Sequence, residues 1–354
     1  MKTFDILGIG CVAVDDLLYV NTYPPADAKV RIKRSGRRFG GLTGTALVAA
    51  AKLGGRCAFA GLLGEDELSK SVEDNFVRHG IDVTGIIRRK EARPIHAVII
   101  AAEGTGTRNI FFDSSAPTGA DPSGPSEEMI RSAKVLALDY YGMEGGIRAA
   151  RIARDAGIPV VADLEDDSDP LFGKLLDLID HLVIGDEFAA KITGVADPPA
   201  SARMLLTQGR TAVVVTCGSD GAWYVARDPE LATGRSRSAE PPSPTPLPPP
   251  GTLRLRSGQA LRIRQEEGGA HHQPAFPVTA VDTTGCGDVF HGAYALALAR
   301  GKGIEARVRF ASAAAAIKAT QSEVPSAEQV APLMVAQADS TLNIPIHQHP
   351  KTLS

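Results

Sequence analysis

The sequence lacks the patterns that mark disulfide-rich, zinc-binding and membrane-spanning proteins. It contains only four cysteines, and no two of them form a Cys-x-x-Cys pair (Cys11, Cys57, Cys217 and Cys286). This spacing predicts neither a disulfide framework nor a zinc site, and it favours reduced thiols. No apolar run is long enough to span a membrane, and Asp5 interrupts the apolar N-terminal stretch. We therefore expect neither a membrane helix nor a signal peptide, and predict a cytoplasmic protein.

Acidic and basic residues are also nearly balanced in number. The formal net charge is −3, and acidic and basic residues are interspersed along the chain. Such a balance argues against a general nucleic-acid-binding or membrane-binding surface. The sequence therefore predicts that neither nucleic acid nor membrane is a partner.

The length and the element pattern favour one large α/β domain. A chain of 354 residues fits one such domain with an appendage better than two equal domains. Predicted strands and helices alternate after Lys134: strands Val135–Leu138, Pro159–Asp163, His181–Ile184 and Ala212–Thr216, and helices Gly146–Ala156, Leu171–Ile179, Glu187–Ile192 and Ala200–Gln208. This alternation predicts a mainly parallel sheet covered on both faces, with ligands at the carboxyl ends of the strands.

The N-terminal strand carries a motif that imitates a dinucleotide site. Residues 8–13 match the Gly-x-Gly-x-x-Ala fingerprint, which requires a helix at that point. Residues 12–20 instead continue a β-rich extended pattern, so we take the match as accidental. Asp15 and Asp16 follow where the strand leaves the sheet, a position that suits the binding of sugar hydroxyls. A solvated turn explains these two acids equally well.

A second, smaller sheet is predicted apart from the main one. Residues 16–39 join two further predicted strands, Ile95–Ala102 and Asn109–Asp113, to form an antiparallel sheet. Within it, Lys29–Arg38 is a basic segment with alternating apolar positions and predicts an exposed strand. Gly40 and Gly41 then lead into a predicted helix, Thr43–Leu53. A glycine turn before a helix N-terminus favours a polar ligand.

The stretch from Pro277 to Gly301 contains the strongest chemical signal. It predicts a short buried strand, Pro277–Val281, then a glycine turn, then a helix that Asp288 opens. A helix N-terminus preceded by glycines is an anion site that suits a phosphate. A carboxylate there is either a helix cap or a group that takes a proton from an attacking hydroxyl, and this stretch alone leaves both open.

Residues 228–270 break the α/β pattern. They contain seven prolines between residues 241 and 250 and several arginines after them. Such proline density cannot sustain a helix or a sheet, so we expect a disordered or extended surface insertion.

Two motifs in the chain are typical of one protein family. They are Gly40-Gly41 with Thr45-Ala46 and Leu53-Gly54, and residues 282–288 (Asp-Thr-Thr-Gly-Cys-Gly-Asp) with Phe290 and Gly292. With these motifs in this order, the sequence resembles the ribokinase-like (PfkB) carbohydrate kinases. In motif detail it is most similar to sulfofructose kinases, at residues 272–276, 288–293 and 308–312.

The resemblance implies a fold and an activity. The fold is a single domain over residues 1–354: a Rossmann-like three-layer α/β/α unit with a small β-sheet lid at about 16–39 and 93–115. The activity is transfer of a phosphoryl group from ATP, with Mg²⁺, to a hydroxyl of a ketohexose or related sugar. Potassium is a possible further cofactor, and the lid a possible homodimer interface. The rival hypothesis is a non-catalytic sugar or nucleotide sensor of the same fold.

The resemblance also assigns roles to individual residues. Asp288 is the base, and the backbone amides of Gly285, Cys286 and Gly287 form the anion hole. The implied sugar ligands are Asp15, Gly40, Gly41 and Thr45. The implied nucleotide contacts are Thr216, Gly218, Gly221, Gly285 and Gly287. Asp282 and Thr284 match the ligands of the monovalent cation in potassium-dependent members. Lys29 is a candidate for the far end of the sugar, with a solvated lysine as the alternative.

The chain departs from the family pattern at four places. The family usually has asparagine in place of Thr45, although sulfofructose kinases share the threonine. Residues 185–188 (Gly-Asp-Glu-Phe) stand where an Asn-x-x-Glu motif helps to organise Mg²⁺, so Asp186 or Glu187 would have to substitute. The family has a glycine-arginine segment soon after the position that Lys318 occupies here, and this chain has residues 321–325 in its place. Tyr140 stands where sulfofructose kinases carry an arginine for the sulfonate, so we do not assign that substrate.

Overall fold

Sixteen strands and ten α-helices are found in the residues that the structure describes. The computed structural model describes residues 2–207, 209–227, 252–254, 260–262 and 269–339. The strands are β1 Phe4–Ile9, β2 Ala13–Val20, β3 Arg34–Gly40, β4 Cys57–Phe59, β5 Leu62–Leu63, β6 Ile87–Arg88, β7 Ile95–Ala102, β8 Thr107–Asp113, β9 Ala133–Asp139, β10 Val160–Asp163, β11 His181–Gly185, β12 Ala212–Thr216, β13 Ala222–Ala226, β14 Thr252–Arg254, β15 Ala260–Arg262 and β16 His271–Gln273.

The helices are α1 Leu42–Lys52, α2 Glu67–Arg78, α3 Glu127–Arg131, α4 Met143–Asp155, α5 Phe172–Leu176, α6 Asp186–Thr193, α7 Pro198–Leu205, α8 Cys286–Ala299, α9 Ile304–Ala319 and α10 Ala327–Asp339. The sequence predicts two further helices, Leu68–His79 and Ile304–Thr320. Each predicted helix is present with shifted ends, and α3 and α10 are additional. Within the described ranges, no helix combines the length and the apolar character needed to cross a membrane.

An eight-stranded sheet lies at the centre of the molecule. Its order is β16-β13-β12-β11-β10-β9-β1-β4, and the six strands from β12 to β4 are parallel. Only β13 and β16, at one edge, pair in the antiparallel sense. The mainly parallel sheet predicted from the alternation of strands and helices is confirmed.

Each face of this sheet has its own hydrophobic core, because successive side chains of a strand point to opposite faces. Val214 of β12 belongs to the core that includes α1, α2, α8 and α9. Its neighbours Val213 and Val215 belong to the core that includes α4, α5, α6 and α7. The strands are buried on both faces, as expected for a parallel sheet between two helical layers. This is the three-layer α/β/α arrangement.

The smaller sheet is mixed, not antiparallel as predicted. Its order is β3-β2-β7-β8, and β2 pairs with β7 in parallel while the other two pairs are antiparallel. A long connection through α1, β4 and α2 separates β2 from β7, and such crossovers permit parallel pairing. We call these four strands the lid sheet. Because β2 follows β1 directly, the helix required by the dinucleotide fingerprint is absent, as predicted.

Three other local predictions are wrong. Lys29–Arg38 is not a strand throughout, because the β2–β3 ladder ends at the pair Tyr19 and Arg34, which leaves Lys29 in the exposed connection. Pro277–Val281 is irregular and exposed, and Val281 donates its backbone N–H to Ala319 O instead of to a strand. The sequence also predicts one strand over Cys57–Leu63, but the structure divides it into β4 and β5, which belong to different sheets.

The predicted insertion is described only in part. Two of its segments, β14 and β15, pair as a short antiparallel ladder, so these six residues have regular structure where the sequence predicts none. The proline-rich stretch and residues 228–251, 255–259 and 263–268 lie outside the described residues.

Close packing of α1 against α8 positions the ends of both helices. The closest approach is at Gly292 of α8, where an added Cβ would lie 2.1 Å from the backbone oxygen of Ala46 in α1. Only glycine allows the two backbones to come this near. The start of α8 is therefore held against the start of α1.

This packing predicts opposite effects for two glycine-to-alanine changes. Gly292→Ala should lower the free energy of unfolding by about 1–3 kcal/mol, since the clash is with backbone and cannot be relieved by a rotamer change. Gly146→Ala, at the fourth residue of α4, is the matched control, because its Cβ would meet Leu175 at 3.8 Å, an ordinary contact. That variant should gain about 0.5–1 kcal/mol from helix propensity. Urea unfolding measures both, and equal effects would contradict the packing argument.

Candidate active site

Two helices begin side by side at the carboxyl edge of the parallel strands. Gly285 caps α8 with φ of 78° and Gly41 caps α1 with φ of 86°, and neither helix has a side-chain cap. At Gly41 a Cβ would lie 2.5 Å from Val12 Cα, so glycine is required there. The first N–H groups of a helix have no partner within the helix. Both ends therefore offer a positive dipole end to a ligand, although Gly44 N and Cys286 N already donate to Cys11 O and Thr283 O, each at 3.2 Å.

The carboxylate of Asp288 lies at this junction. A Cβ built on Gly285 would be 3.6 Å from Asp288 Oδ2 and 3.7 Å from Thr45 Cγ2, so Asp288 of α8 and Thr45 of α1 lie beside the same glycine turn. Burial raises the pKa of Asp288 well above its usual value, and the charges of Asp163 and Glu165 raise it further. His291 and a hydrogen bond from Thr45 act in the opposite direction. A carboxylate with a raised pKa holds a proton more readily than an exposed one.

His291, which the sequence reasoning missed, ties α8 to the sheet. Its Nδ1 lies 2.8 Å from Gly287 O and 3.1 Å from Asp163 Oδ2, and its Nε2 lies 2.7 Å from Val183 O. Each ring nitrogen therefore faces a backbone carbonyl oxygen, which can only accept a hydrogen bond. The signal in the sequence is its position three residues after Asp288, on the same helix face.

Asp139 holds the opposite side of the junction and was also missed. Its Oδ2 accepts hydrogen bonds from Cys11 N and Thr43 Oγ1, both at 2.7 Å, and its Oδ1 accepts one from Tyr141 N at 2.9 Å. Burial raises the pKa of Asp139, and these hydrogen bonds oppose that rise. The carboxylate thus joins the turn after β1 to the first residues of α1. Asp139 and Asp163 both end parallel strands, a pattern visible in the sequence.

The predicted sugar ligands lie together except for Lys29. Asp15 is on β2, and a Cβ on Gly40 would lie 3.4 Å from Asp15 Oδ2. Gly41 and Thr45 follow immediately in the first turn of α1. Burial raises the pKa of Asp15, although Arg38 and His96 lower it. Lys29 is exposed in the connection between β2 and β3.

Three of the predicted nucleotide contacts, Thr216, Gly218 and Gly221, lie at the end of β12 or just after it. Thr216 pairs with Gly185 at the carboxyl edge of the sheet, and a short 3-10 turn, Gly218–Asp220, follows. Gly221 has φ of 96°, and its Cβ would lie 2.1 Å from Gln273 O. Close approach of another backbone is therefore sufficient reason for glycine at position 221. Thr216 and Gly218 lie at the same sheet edge as Asp163.

Two arginines of the lid sheet reach the turn that precedes α8. Arg38 of β3 donates from Nη1 to Asp282 Oδ2 at 3.1 Å, and Arg108 of β8 donates to Thr284 Oγ1 at 3.0 Å. Asp282 also accepts the Thr284 N–H at 3.1 Å. Burial alone would raise the pKa of Asp282, but the bonds from Thr284 and the charges of Lys318 and Arg38 lower it. Asp282 and Thr284 thus connect the lid to the glycine turn.

The carboxylates at this edge suit a magnesium ion that is bound mainly by phosphates. Asp186 and Glu187 lie exposed in the first turn of α6, while Phe188 is 7% exposed. Among the described residues, no three acidic, histidine or cysteine side chains gather as a ready-made metal site. Mg²⁺ commonly takes one or two carboxylates together with substrate phosphates, and Asp186 and Glu187 can supply these.

The chain is similar to known proteins in both sequence and fold. Among curated proteins, the chain is 26% identical over 340 residues to a protein named ribokinase from Haemophilus influenzae, covering 93% of this chain and 97% of the relative. The fold is similar to that of a putative ribokinase from Agrobacterium tumefaciens, with TM-score 0.75, 24% identity and coverage of 95% and 99%.

A structure of a putative ribokinase II from E. coli, in complex with ATP and Mg²⁺, also shares the fold. Its TM-score is 0.71, with 16% identity and coverage of 94% of this chain and 99% of that one. The family model for pfkB family carbohydrate kinases matches residues 7–242 and 256–329. That match spans most of the chain and includes both glycine turns with Asp288, so the protein belongs to the pfkB family of carbohydrate kinases.

Proposed function

We propose that this kinase transfers a phosphoryl group from ATP to a hydroxyl of a small sugar, a ketohexose or related carbohydrate. The observation that carries the proposal is the position of Asp288 in the first turn of α8, beside Thr45 and the Gly285 turn. A carboxylate normally repels a phosphate at a helix N-terminus. It is useful there when it takes the proton of the attacking hydroxyl.

Each part of the site has a task in this reaction. Asp15, Gly40, Gly41 and Thr45 hold the sugar at the start of α1, with one hydroxyl toward Asp288. Asp288 removes the proton of that hydroxyl. The amides of Gly285, Cys286 and Gly287 stabilise the negative charge on the transferring group, which is the main requirement of phosphoryl transfer.

The nucleotide lies along the edge formed by Thr216, Gly218 and Gly221, with its phosphates at Gly285 and Gly287. Mg²⁺, when held by Asp186 or Glu187, neutralises charge on those phosphates. A structurally similar E. coli protein forms a complex with ATP and Mg²⁺, which supports the choice of these two cofactors.

The sugar itself is proposed only by class. The likeness to sulfofructose kinases is confined to short motifs, and Tyr140 stands where those enzymes have an arginine. Tyr140 stacks on Tyr141 with ring centroids 4.5 Å apart, which presents aromatic surface instead of positive charge. This supports a neutral sugar. Lys29 stays a candidate for contact with the far end of the substrate.

We also propose a homodimer through the lid sheet, in a cytoplasmic protein. The edge strand β8 is exposed along its length, including Ile110 at 51%, Phe111 at 53% and Phe112 at 70%. Exposed apolar edge strands pair readily with another chain. All four cysteines are free thiols, which suits a reducing compartment.

One observation favours the rival function, a non-catalytic sensor of sugar or nucleotide. Phe188 is buried where the family's glutamate belongs, so the usual acidic partner of magnesium is replaced. ADP release measured against a panel of ketoses, aldoses and their deoxy forms separates the two hypotheses. Turnover of one sugar supports the kinase, and binding of a sugar without turnover supports the sensor.

Replacing the base should remove turnover and spare binding. Asp288→Asn keeps the shape of the side chain but cannot accept the proton, so kcat should fall by about 10²–10⁴-fold. Sugar and ATP affinities, measured by calorimetry, should change little. The control is Glu305→Gln, an exposed acid in the first turn of α9. Near-normal turnover in Asp288→Asn would remove Asp288 from the mechanism.

The pH dependence should report the pKa of Asp288. The base must be ionised, so kcat/KM should fall as the pH drops through the raised pKa of Asp288. After burial, the charge of Asp163 is the next cause of that rise, so Asp163→Asn should move the acid limb to lower pH. Glu305→Gln should leave the limb in place. An unchanged limb in Asp163→Asn would show that another group controls it.

A further inference from the structure

The turn before α8 is attached to the end of α9 by a buried lysine. Lys318 lies in the last turn of α9 and is 4% exposed. Its Nζ donates to Asp282 O at 3.2 Å and to Gln321 O at 3.1 Å, and lies 3.9 Å from Asp282 Oδ2. The backbone of the turn also binds the end of α9, since Val281 N and Asp282 N both donate to Ala319 O.

The oxygen atoms around this ammonium are of the kind that bind a metal cation. Backbone carbonyls and a carboxylate, contributed by residues 282 and 321, suit hard cations such as K⁺. An ammonium has three donors, and here two carbonyl oxygens and one carboxylate oxygen surround it. The positive charge is thus compensated inside the protein, as a buried charge requires.

A potassium ion does not fit beside Lys318. Asp282, the carboxylate that the family resemblance assigns to the cation, already faces both Lys318 and Arg38. Thr284, the second assigned ligand, accepts from Arg108 through its hydroxyl. A further cation at Asp282 would be repelled by two positive side chains at short range.

We infer that the ammonium of Lys318 takes the place of the monovalent cation, so that this kinase works without potassium. A lysine is covalently attached, so its charge is present at every salt composition. It holds residues 281–284 against the end of α9 and thereby fixes the turn that leads into the amides of residues 285–287. Its catalytic consequence rests on the role proposed for those amides. Lys318 is a positioning residue, because it touches the turn and not the reacting atoms.

The wild-type protein provides the first test. Its kcat and its melting temperature should be the same in chloride salts of K⁺, Na⁺ and tetramethylammonium at equal ionic strength. Specific activation or stabilisation by K⁺ would overturn the inference. This arm needs no variant, so it decides the question even if substitutions at position 318 prevent folding.

Two substitutions test whether the charge and the space matter. Lys318→Ala removes the ammonium and leaves room for an ion, and kcat should fall by about 10²-fold through displacement of the turn. K⁺ or ammonium should restore most of that activity and raise the melting temperature, whereas tetramethylammonium should do neither. Lys318→Met fills the same space without charge, and its activity and stability should not respond to K⁺.

The exposed Lys302→Ala is the control and should behave as wild type. Absence of any K⁺ response in folded Lys318→Ala would contradict the inference. The melting temperatures separate this failure from failure of the proposed function. A K⁺-stabilised Lys318→Ala without sugar turnover in any variant would support the cation replacement and reject the kinase reaction.

Discussion

The site depends on the contact between α1 and α8, where Gly292 lets the two backbones touch at Ala46. This contact places two uncapped helix N-termini at one point on the carboxyl edge of the sheet. Two positive dipole ends then act on the same small volume. In the proposed reaction this point holds the phosphate and the sugar without a dedicated cationic side chain, which is consistent with the glycines in both motifs.

Buried ionisable side chains attach the starts of α1 and α8 to the central sheet. Asp139 ties the start of α1 to β9, and the Asp163–His291 pair ties the start of α8 to β10 and β11. Burial raises the pKa of Asp163 and of Asp288, because an ionised carboxylate is poorly solvated there, and neighbouring carboxylates raise both further: Glu165 and Asp139 for Asp163, and Asp163 and Glu165 for Asp288. The same burial that makes Asp288 a stronger proton acceptor therefore depends on these structural anchors.

The lid sheet is connected to the site by charge as well as by chain. Arg38 and Arg108 come from its two outer strands and reach the turn at Asp282 and Thr284, while Lys318 of α9 contacts the same turn at Asp282. Three positive side chains thus converge on the segment that leads into α8. Both arginines belong to the lid sheet and bind the turn before α8, so a movement of the lid would also displace that turn.

The sequence by itself determined the parallel sheet, both glycine turns and Asp288, because periodicity, turn chemistry and helix N-termini are local properties of the chain. Tertiary structure decided the rest. Pro277–Val281 has the composition of a strand, yet Ala319 takes its backbone donor. The parallel pairing of β2 with β7 and the contacts of Asp282 with Arg38 and Lys318 join residues far apart in sequence. No local pattern encodes such partners, since long-range packing alone selects them.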